Sequence, residues 1–145
     1  MFQIKVYTDG SCLKNPGNGG YCALLQKFKD GEKVTEVSLV GNQPATTNNR
    51  MEMMAILKAI IFLNLKEISD SQIDFYSDSN LVISTLSKGW KRKANLDIWQ
   101  EIDLAIINCK KNANKLGWHW VKAHNNHPEN EYCDTEARKK AMELE

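Results

Sequence analysis

Apolar residues change their spacing several times along this chain, and each change marks an element. Ile4 to Thr8 alternates in type and stops at Asp9-Gly10, which predicts a strand running into a turn. Asn15 to Gly20 has loop composition, and Tyr21 to Phe28 and Lys33 to Val40 flank Asp30-Gly31, a strong hairpin signal. A loop is expected from Gly41 to Asn48, then a helix from about Arg50 to Lys66. Met53, Met54, Ile56, Leu57, Ile60, Ile61 and Leu63 cover most of that helix's circumference, so it should lie buried between layers. Ile73 to Ser77 reads as a short strand, with a helix from Asp78 to Leu86. Asn95 to Cys109 carries Ile98, Trp99, Ile102, Ala105 and Ile106 at helical spacing. Trp118 to Val121 reads as a last strand, and Pro128 is placed to open a final helix through Met142.

The order is three strands, a helix, a strand, two helices, a strand and a helix. Strands reached through helices should add in parallel to the antiparallel opening, giving an α/β fold with a five-stranded mixed sheet flanked by helices. No internal repeat, linker or low-complexity tract interrupts the 145 residues, and one domain over 1–145 is expected.

Composition narrows the class. Hydrophobic content of 42% and charged content of 26% are those of a globular chain in water. The opening Met1-Phe2-Gln3-Ile4-Lys5-Val6 lacks the layout of an export signal, and Met51 to Leu65 is too short and too interrupted to span a bilayer. A cytoplasmic location, no membrane association and a monomeric state are the resulting expectations. Cys12, Cys22, Cys109 and Cys133 show no metal-site spacing and are expected to stay reduced. A formal charge of +1 is uninformative about a polyanionic partner, but Lys88-Gly-Trp-Lys-Arg-Lys93 is a local basic surplus.

Four carboxylates lie where elements begin or end. Singly, each has an ordinary explanation. Asp9 suits a turn, and Asn49-Arg-Met-Glu52 has the spacing of a capping box. Asp78 suits an N-cap, and Asp134 a solvated helix position. Together they suggest convergence, because adjacent first and fourth strands would set Asp9 beside Asp78 at the centre of the sheet. Carboxylates brought together repel unless a cation lies among them. Hard oxygen ligands of this kind suit Mg²⁺, and a pair of such ions is an arrangement that cleaves phosphodiesters.

The residues that carry a resemblance are specific. Thr8-Asp-Gly-Ser-Cys12, Asn15-Pro-Gly17 and Gly19-Gly-Tyr21 are similar to the opening of type 1 ribonuclease H. Thr46-Thr-Asn-Asn-Arg-Met-Glu52, Ser77-Asp-Ser79 and Trp120-Val-Lys-Ala-His124, with His127-Pro-Glu-Asn-Glu131 and Cys133-Asp134, resemble its later motifs. The match runs nearly end to end. It implies the ribonuclease H-like fold and endonucleolytic cleavage of the RNA strand of an RNA–DNA hybrid, leaving 5′-phosphate and 3′-hydroxyl ends. It implies two Mg²⁺ ions, with Mn²⁺ a possible substitute, held by Asp9, Glu52, Asp78 and Asp134. His124 matches a histidine that moves protons or helps product leave, and Glu131 an accessory acid. His119 and His127 are read as structural. Asn15, Asn48 and Asn80, with the backbone around Gly10 to Cys12, match positions that read the minor groove of the hybrid, where only RNA offers a 2′-hydroxyl. Thr47 and Asn95 match a pocket for a phosphate of the DNA strand.

Two departures from the family stand out. The Trp- and Lys-rich insertion many members carry after the third motif is missing, because Lys88 to Lys93 runs almost directly into Asn95. Trp90 is left to stack on a sugar, with Lys91, Arg92 and Lys93 on phosphates. Ala45 also stands where many relatives place a basic residue. A noncatalytic binder on the same fold is the rival reading, but such a protein gains nothing from four carboxylates beside phosphate.

Overall fold

The computed structural model describes residues 2–123 and 127–145. Three strands open the chain, β1 (Phe2–Cys12), β2 (Gly17–Lys29) and β3 (Glu32–Thr46), followed by helix α1 (Asn48–Leu65). Then come β4 (Ser71–Ser77), α2 (Asn80–Lys88), α3 (Leu96–Lys111), β5 (Lys115–Trp120) and α4 (Pro128–Met142). The sheet order is β3-β2-β1-β4-β5, with β1–β2 and β2–β3 antiparallel and β1–β4 and β4–β5 parallel. This is the mixed five-stranded sheet expected, with β1 at its centre.

The hairpin between β2 and β3 turns on Asp30 and Gly31, both at positive φ (51° and 84°), as a tight twisted turn requires. The strands outrun their expected limits, and β3 does so most. Gly41 to Thr46, expected as loop, continues that strand. The segment is polar and contains Pro44, so alternation does not reveal it. It is tolerated because β3 is an edge strand, where a residue without an N–H costs no ladder bond. A register shift between Gly17 and Gly19 absorbs Pro44 and Ala45, and Ala45 takes φ 49° there.

Alternation along the central strands sorts the helices onto two faces. Ile4, Val6, Ala23, Leu25, Ile73 and Phe75 join α1 and α3 in the main core, where Phe75 stacks on Trp118 with ring centroids 4.6 Å apart. On the other face Cys22 and Leu24 meet Cys133 and Ala137 of α4. Helix α1 is buried around most of its circumference, Met51 to Leu63, as its sequence requires of a helix between sheet and α3, although Ile61 and Leu65 remain exposed. Residues 89–95 alone connect α2 to α3, without helix or strand. Among the described residues, no helix is long and apolar enough to cross a membrane, and all four cysteines are free thiols.

Candidate active site

The parallel pairing of β1 with β4 ends in register at Tyr7 opposite Tyr76, whose rings stack 5.0 Å apart. Two residues further along each chain stand Asp9 and Asp78, so the centre of the sheet delivers two carboxylates side by side. The third comes from α1. That helix is capped by Thr47, whose Oγ1 accepts from the Arg50 N–H at 3.2 Å. The capping-box reading, with Asn49 as cap and Glu52 reaching back to it, is therefore wrong. With the cap two residues earlier, Glu52 lies past the open N-terminal amides and turns inward.

Asp78 does not open its helix either. Ser79 is the N-cap of α2, accepting from the Val82 N–H at 3.3 Å, while Ser77 Oγ accepts from the Ser79 N–H. The indole of Trp120 donates to the Asp78 carbonyl at 3.1 Å. Asp78 is thus held by its backbone from both sides. From sequence Trp120 opens a motif of the resemblance but carries no role of its own; its hold on Asp78 is seen only in the fold.

Asp9, Glu52 and Asp78 each present a carboxylate oxygen within 4.8 Å of the others. Asp9 and Glu52 are buried at 6% and 8% exposure. Burial pushes the Asp9 carboxyl up to about 7, and the charges of Asp78 and Asp134 act in the same direction, against a hydrogen bond from Glu52. Burial raises Glu52 as well, well above the usual carboxylate range, with the Asp9 charge adding to it. Without a cation, burial and mutual repulsion thus favour the protonated form of both carboxyls. Glu52 Oε2 is buried with no hydrogen-bond partner among the described residues. An orphaned buried oxygen among three clustered carboxylates is costly in a folded protein, and a divalent cation would satisfy it. The residues fit a hard metal ion.

Asp134 lies on the same cleft as Asp9 and Asp78, together with Lys122, His127, Asn130 and Glu131. It is not one of the clustered three, and Arg138, one helical turn on, donates to both its oxygens at 3.4 and 3.1 Å. His127, expected to be structural, lines this cleft and makes no side-chain capping bond at the start of α4. Asn130 keeps a buried Oδ1 there without a hydrogen-bond partner among the described residues. His119 is structural, its Nε2 2.9 Å from Asp74 Oδ1. His124 lies outside the described residues.

The asparagines share one polarity. Asn48 N–H donates to Asn15 Oδ1 at 3.2 Å, and Asn48 Oδ1 accepts from the Cys12 N–H at 2.8 Å. Asn95 Oδ1 accepts from Arg50 Nη1 at 3.1 Å. Each partner can only donate, so each amide must turn its oxygen inward and its NH₂ outward. Asn80 is bonded to the Ser84 hydroxyl within α2. Of the backbone at Gly10 to Cys12, the Gly10 N–H is spent on Asp9 Oδ1 and the Cys12 N–H on Asn48. The surface left for a ligand is rich in amide donors.

Beyond them, a cavity of about 420 Å³ lies between α2, residues 90–95 and α3, lined by Trp90, Lys91, Arg92, Lys93 and Asn95. Trp90 is 44% exposed, and Lys91 and Lys93 face solvent. Arg92 differs from its neighbours, because its guanidinium stacks on Trp99 at 4.6 Å and pairs with Asp103.

Comparison with known proteins places this architecture. The family model described as RNase H matches residues 2–142. A ribonuclease H of Campylobacter jejuni is 41% identical over 152 residues, covering 99% of this chain and 94% of the relative. A ribonuclease H of Bradyrhizobium is 40% identical, over 93% of this chain and 87% of the relative. Among solved structures, LC9-RNase H1, a type 1 enzyme with the type 2 active-site motif, superposes with a TM-score of 0.81 at 29% identity, covering 99% of this chain and 74% of that one. LC11-RNase H1, solved in complex with an RNA/DNA hybrid, shares the fold with a TM-score of 0.79 at 20% identity, over 97% of this chain and 98% of that one.

Proposed function

Because the chain belongs to the type 1 ribonuclease H family, we propose that it hydrolyses the RNA strand of RNA–DNA hybrids endonucleolytically, leaving 5′-phosphate and 3′-hydroxyl ends. The observation that carries this reading is the clustering of Asp9, Glu52 and Asp78 within 4.8 Å. A relative solved with a hybrid bound supports the choice of substrate.

Asp9, Glu52 and Asp78 would hold divalent cations, with Asp134 completing the set from α4. Two Mg²⁺ ions are proposed, with Mn²⁺ a substitute. When bound, such ions lower the pKa of water and neutralise charge on the departing oxygen. The protein's own residues do the rest. Their raised proton affinity means that a cation entering the site would displace a proton from Asp9 and Glu52. Asn15 and Asn48 aim amide donors at the groove, where a ribose 2′-oxygen accepts and a deoxyribose offers nothing. Asn80, beside Asp78, extends that row, and Trp90, Lys91 and Lys93 hold the other strand's backbone. His124, by resemblance, moves a proton near the departing group, with Glu131 as an accessory acid. The protein acts as a monomer inside the cell.

The test is a cleavage assay on labelled RNA–DNA hybrid, double-stranded RNA and double-stranded DNA with Mg²⁺, Mn²⁺ or EDTA. Metal-dependent cuts in the hybrid's RNA strand alone are expected. Binding without cleavage would leave a hybrid-binding module, and cleavage of double-stranded DNA would assign a different nuclease.

A further inference from the structure

Asp9 lies within β1, opposite Cys22, and Glu52 lies within α1, so regular hydrogen bonding fixes the backbone under both. Asp78 has neither support. β4 ends at Ser77 and α2 begins at Asn80 with Ser79 as its cap, which leaves Asp78 in the bend between them. On the β1 side the pairing has already stopped, at Tyr7 opposite Tyr76. At such a point two soft backbone dihedrals are fixed by neither helix nor sheet, and a carboxylate carried there swings with them.

The bend is held from β5 instead. The Val121 N–H donates to the Ser77 carbonyl at 2.9 Å, and the Ser79 N–H donates to Ser77 Oγ at 3.1 Å. The Asp78 carbonyl accepts from the Trp120 indole Nε1 at 3.1 Å. Trp120 ends β5 opposite Ser77, so its indole reaches one residue beyond its own partner in the sheet. The three bonds engage both peptide planes that flank the Asp78 Cα, and two planes held on either side set φ and ψ between them. The direction of the Asp78 side chain follows. The Ser77 hydroxyl belongs to the bend itself, so the indole is what ties the second plane to β5.

Packing gives little reason for a tryptophan at this position. Its ring is 52% exposed, whereas Trp118 packs against the main core and stacks on Phe75. A phenyl ring would serve as well for a surface half in water. What the indole adds is an N–H that can only donate, facing a carbonyl that can only accept.

We propose that Trp120 is a positioning residue for the cleavage reaction, its indole N–H fixing the peptide after Asp78 and so holding the Asp78 carboxylate within reach of Asp9 and Glu52. It acts through Asp78 and not on the reacting atoms. The inference rests on the metal-dependent reading above, and its test separates the two.

Trp120→Phe keeps a ring and removes the donor. Calorimetric titration of the hybrid-free protein with Mn²⁺ should give a Kd about five- to tenfold weaker than wild type, the scale of one neutral hydrogen bond. In cleavage assays the Mg²⁺ concentration for half-maximal kcat should rise by the same factor, while KM for hybrid at saturating Mg²⁺ stays within about twofold. Trp120→Tyr, which also lacks the indole donor, takes its place if Trp120→Phe does not fold. Trp118→Phe is the control for a merely structural effect, and should lower the melting temperature while leaving the Mn²⁺ Kd unchanged. In the wild-type protein the Trp120 indole N–H should exchange with deuterium about tenfold more slowly than a free indole, despite its half-exposed ring. Exchange at the free rate, an unchanged Mn²⁺ Kd in a folded Trp120 variant, or an equal weakening in Trp118→Phe overturns the positioning role. Failure of the wild-type protein to bind Mn²⁺ or to cut hybrid in Mg²⁺ overturns the functional reading instead.

Discussion

Gly10 lies so close to the start of α1 that a Cβ on it would overlap the backbone of Met51 and Glu52. The end of β1 and the first turn of the helix therefore touch main chain to main chain. This contact sets the separation of Asp9 from Glu52, and it exists only because residue 10 has no side chain.

Gly10→Ala should accordingly push the helix from the strand and spread the carboxylates. Overpacking at such a contact costs about 1–3 kcal/mol. A displacement near 1 Å at a reacting site lowers the rate by roughly 100-fold. Chemical denaturation and steady-state kinetics measure the two effects. Wild-type kcat in a folded Gly10→Ala protein would show that the contact does not set the spacing.

Asp9→Asn and Asp78→Asn should each lower cleavage by more than about 1,000-fold while hybrid affinity, measured by fluorescence anisotropy, stays within a few fold. Either variant retaining near wild-type turnover would remove the metal assignment.

The acidic pair makes stability depend on pH. The folded-state value of Asp9, about 7, lies above its ordinary 3.8. Its contribution to stability is therefore complete below pH 3.8 and is lost as pH rises through 7. Glu52 shifts in the same direction. The metal-free protein should melt at lower temperature at pH 8 than at pH 5.5, provided the rest of the fold titrates little there, with an effect on the order of 3 kcal/mol. Asp9→Asn should recover most of that loss at pH 8, and Mg²⁺ should raise the melting temperature at pH 8 far more than at pH 5.5. Calorimetry with and without EDTA decides; a Mg²⁺ effect equal at both pH values would contradict it.

The outward amides can be inverted one at a time. Asn48→Asp keeps the acceptor for the Cys12 N–H but replaces the outer donor by a charged oxygen, which repels both 2′-oxygen and phosphate. It should cost about 2–3 kcal/mol, a loss of roughly 30- to 150-fold in kcat/KM on hybrid. Melting temperature should move little. An equal loss of stability and activity would instead make Asn48 a structural bracket between Cys12 and Asn15.

On the opposite side of β4 a glycine serves packing alone. A Cβ on Gly117 would collide with Asp74 Oδ1 and stand 3.1 Å from His119 Nε2. Burial works against ionised Asp74, but hydrogen bonds from His119, Gln3 and Gln72 win and hold its carboxyl below the usual value. Gly117→Ala should destabilise by about 1–3 kcal/mol without changing kcat, and the Asp74→Ala/Gly117→Ala double variant should be less destabilised than the sum of the singles. Strict additivity in denaturant titrations would exclude the clash.

Much of this protein was legible before any coordinate. Alternation and helical spacing placed every strand and helix, because burial on one face or two leaves a period in the residues themselves. The motifs around Asp9, Glu52, Asp78 and Asp134 pointed to their convergence, since strand ends and helix starts share an edge in a sheet built this way. Edges and ends were harder. The last six residues of β3 are polar and include a proline, and only pairing with β2 makes them a strand. Glu52 was indistinguishable from a capping residue until Thr47 was seen to cap the helix. Which way each asparagine turns, which cation holds Asn95 and why Arg92 is already engaged depend on partners 30 to 50 residues away or across a helix–helix seam. A linear pattern records what a residue is and how often its type recurs. Which neighbour consumes its hydrogen bonds, and which oxygen is left without one, is decided only when distant segments meet.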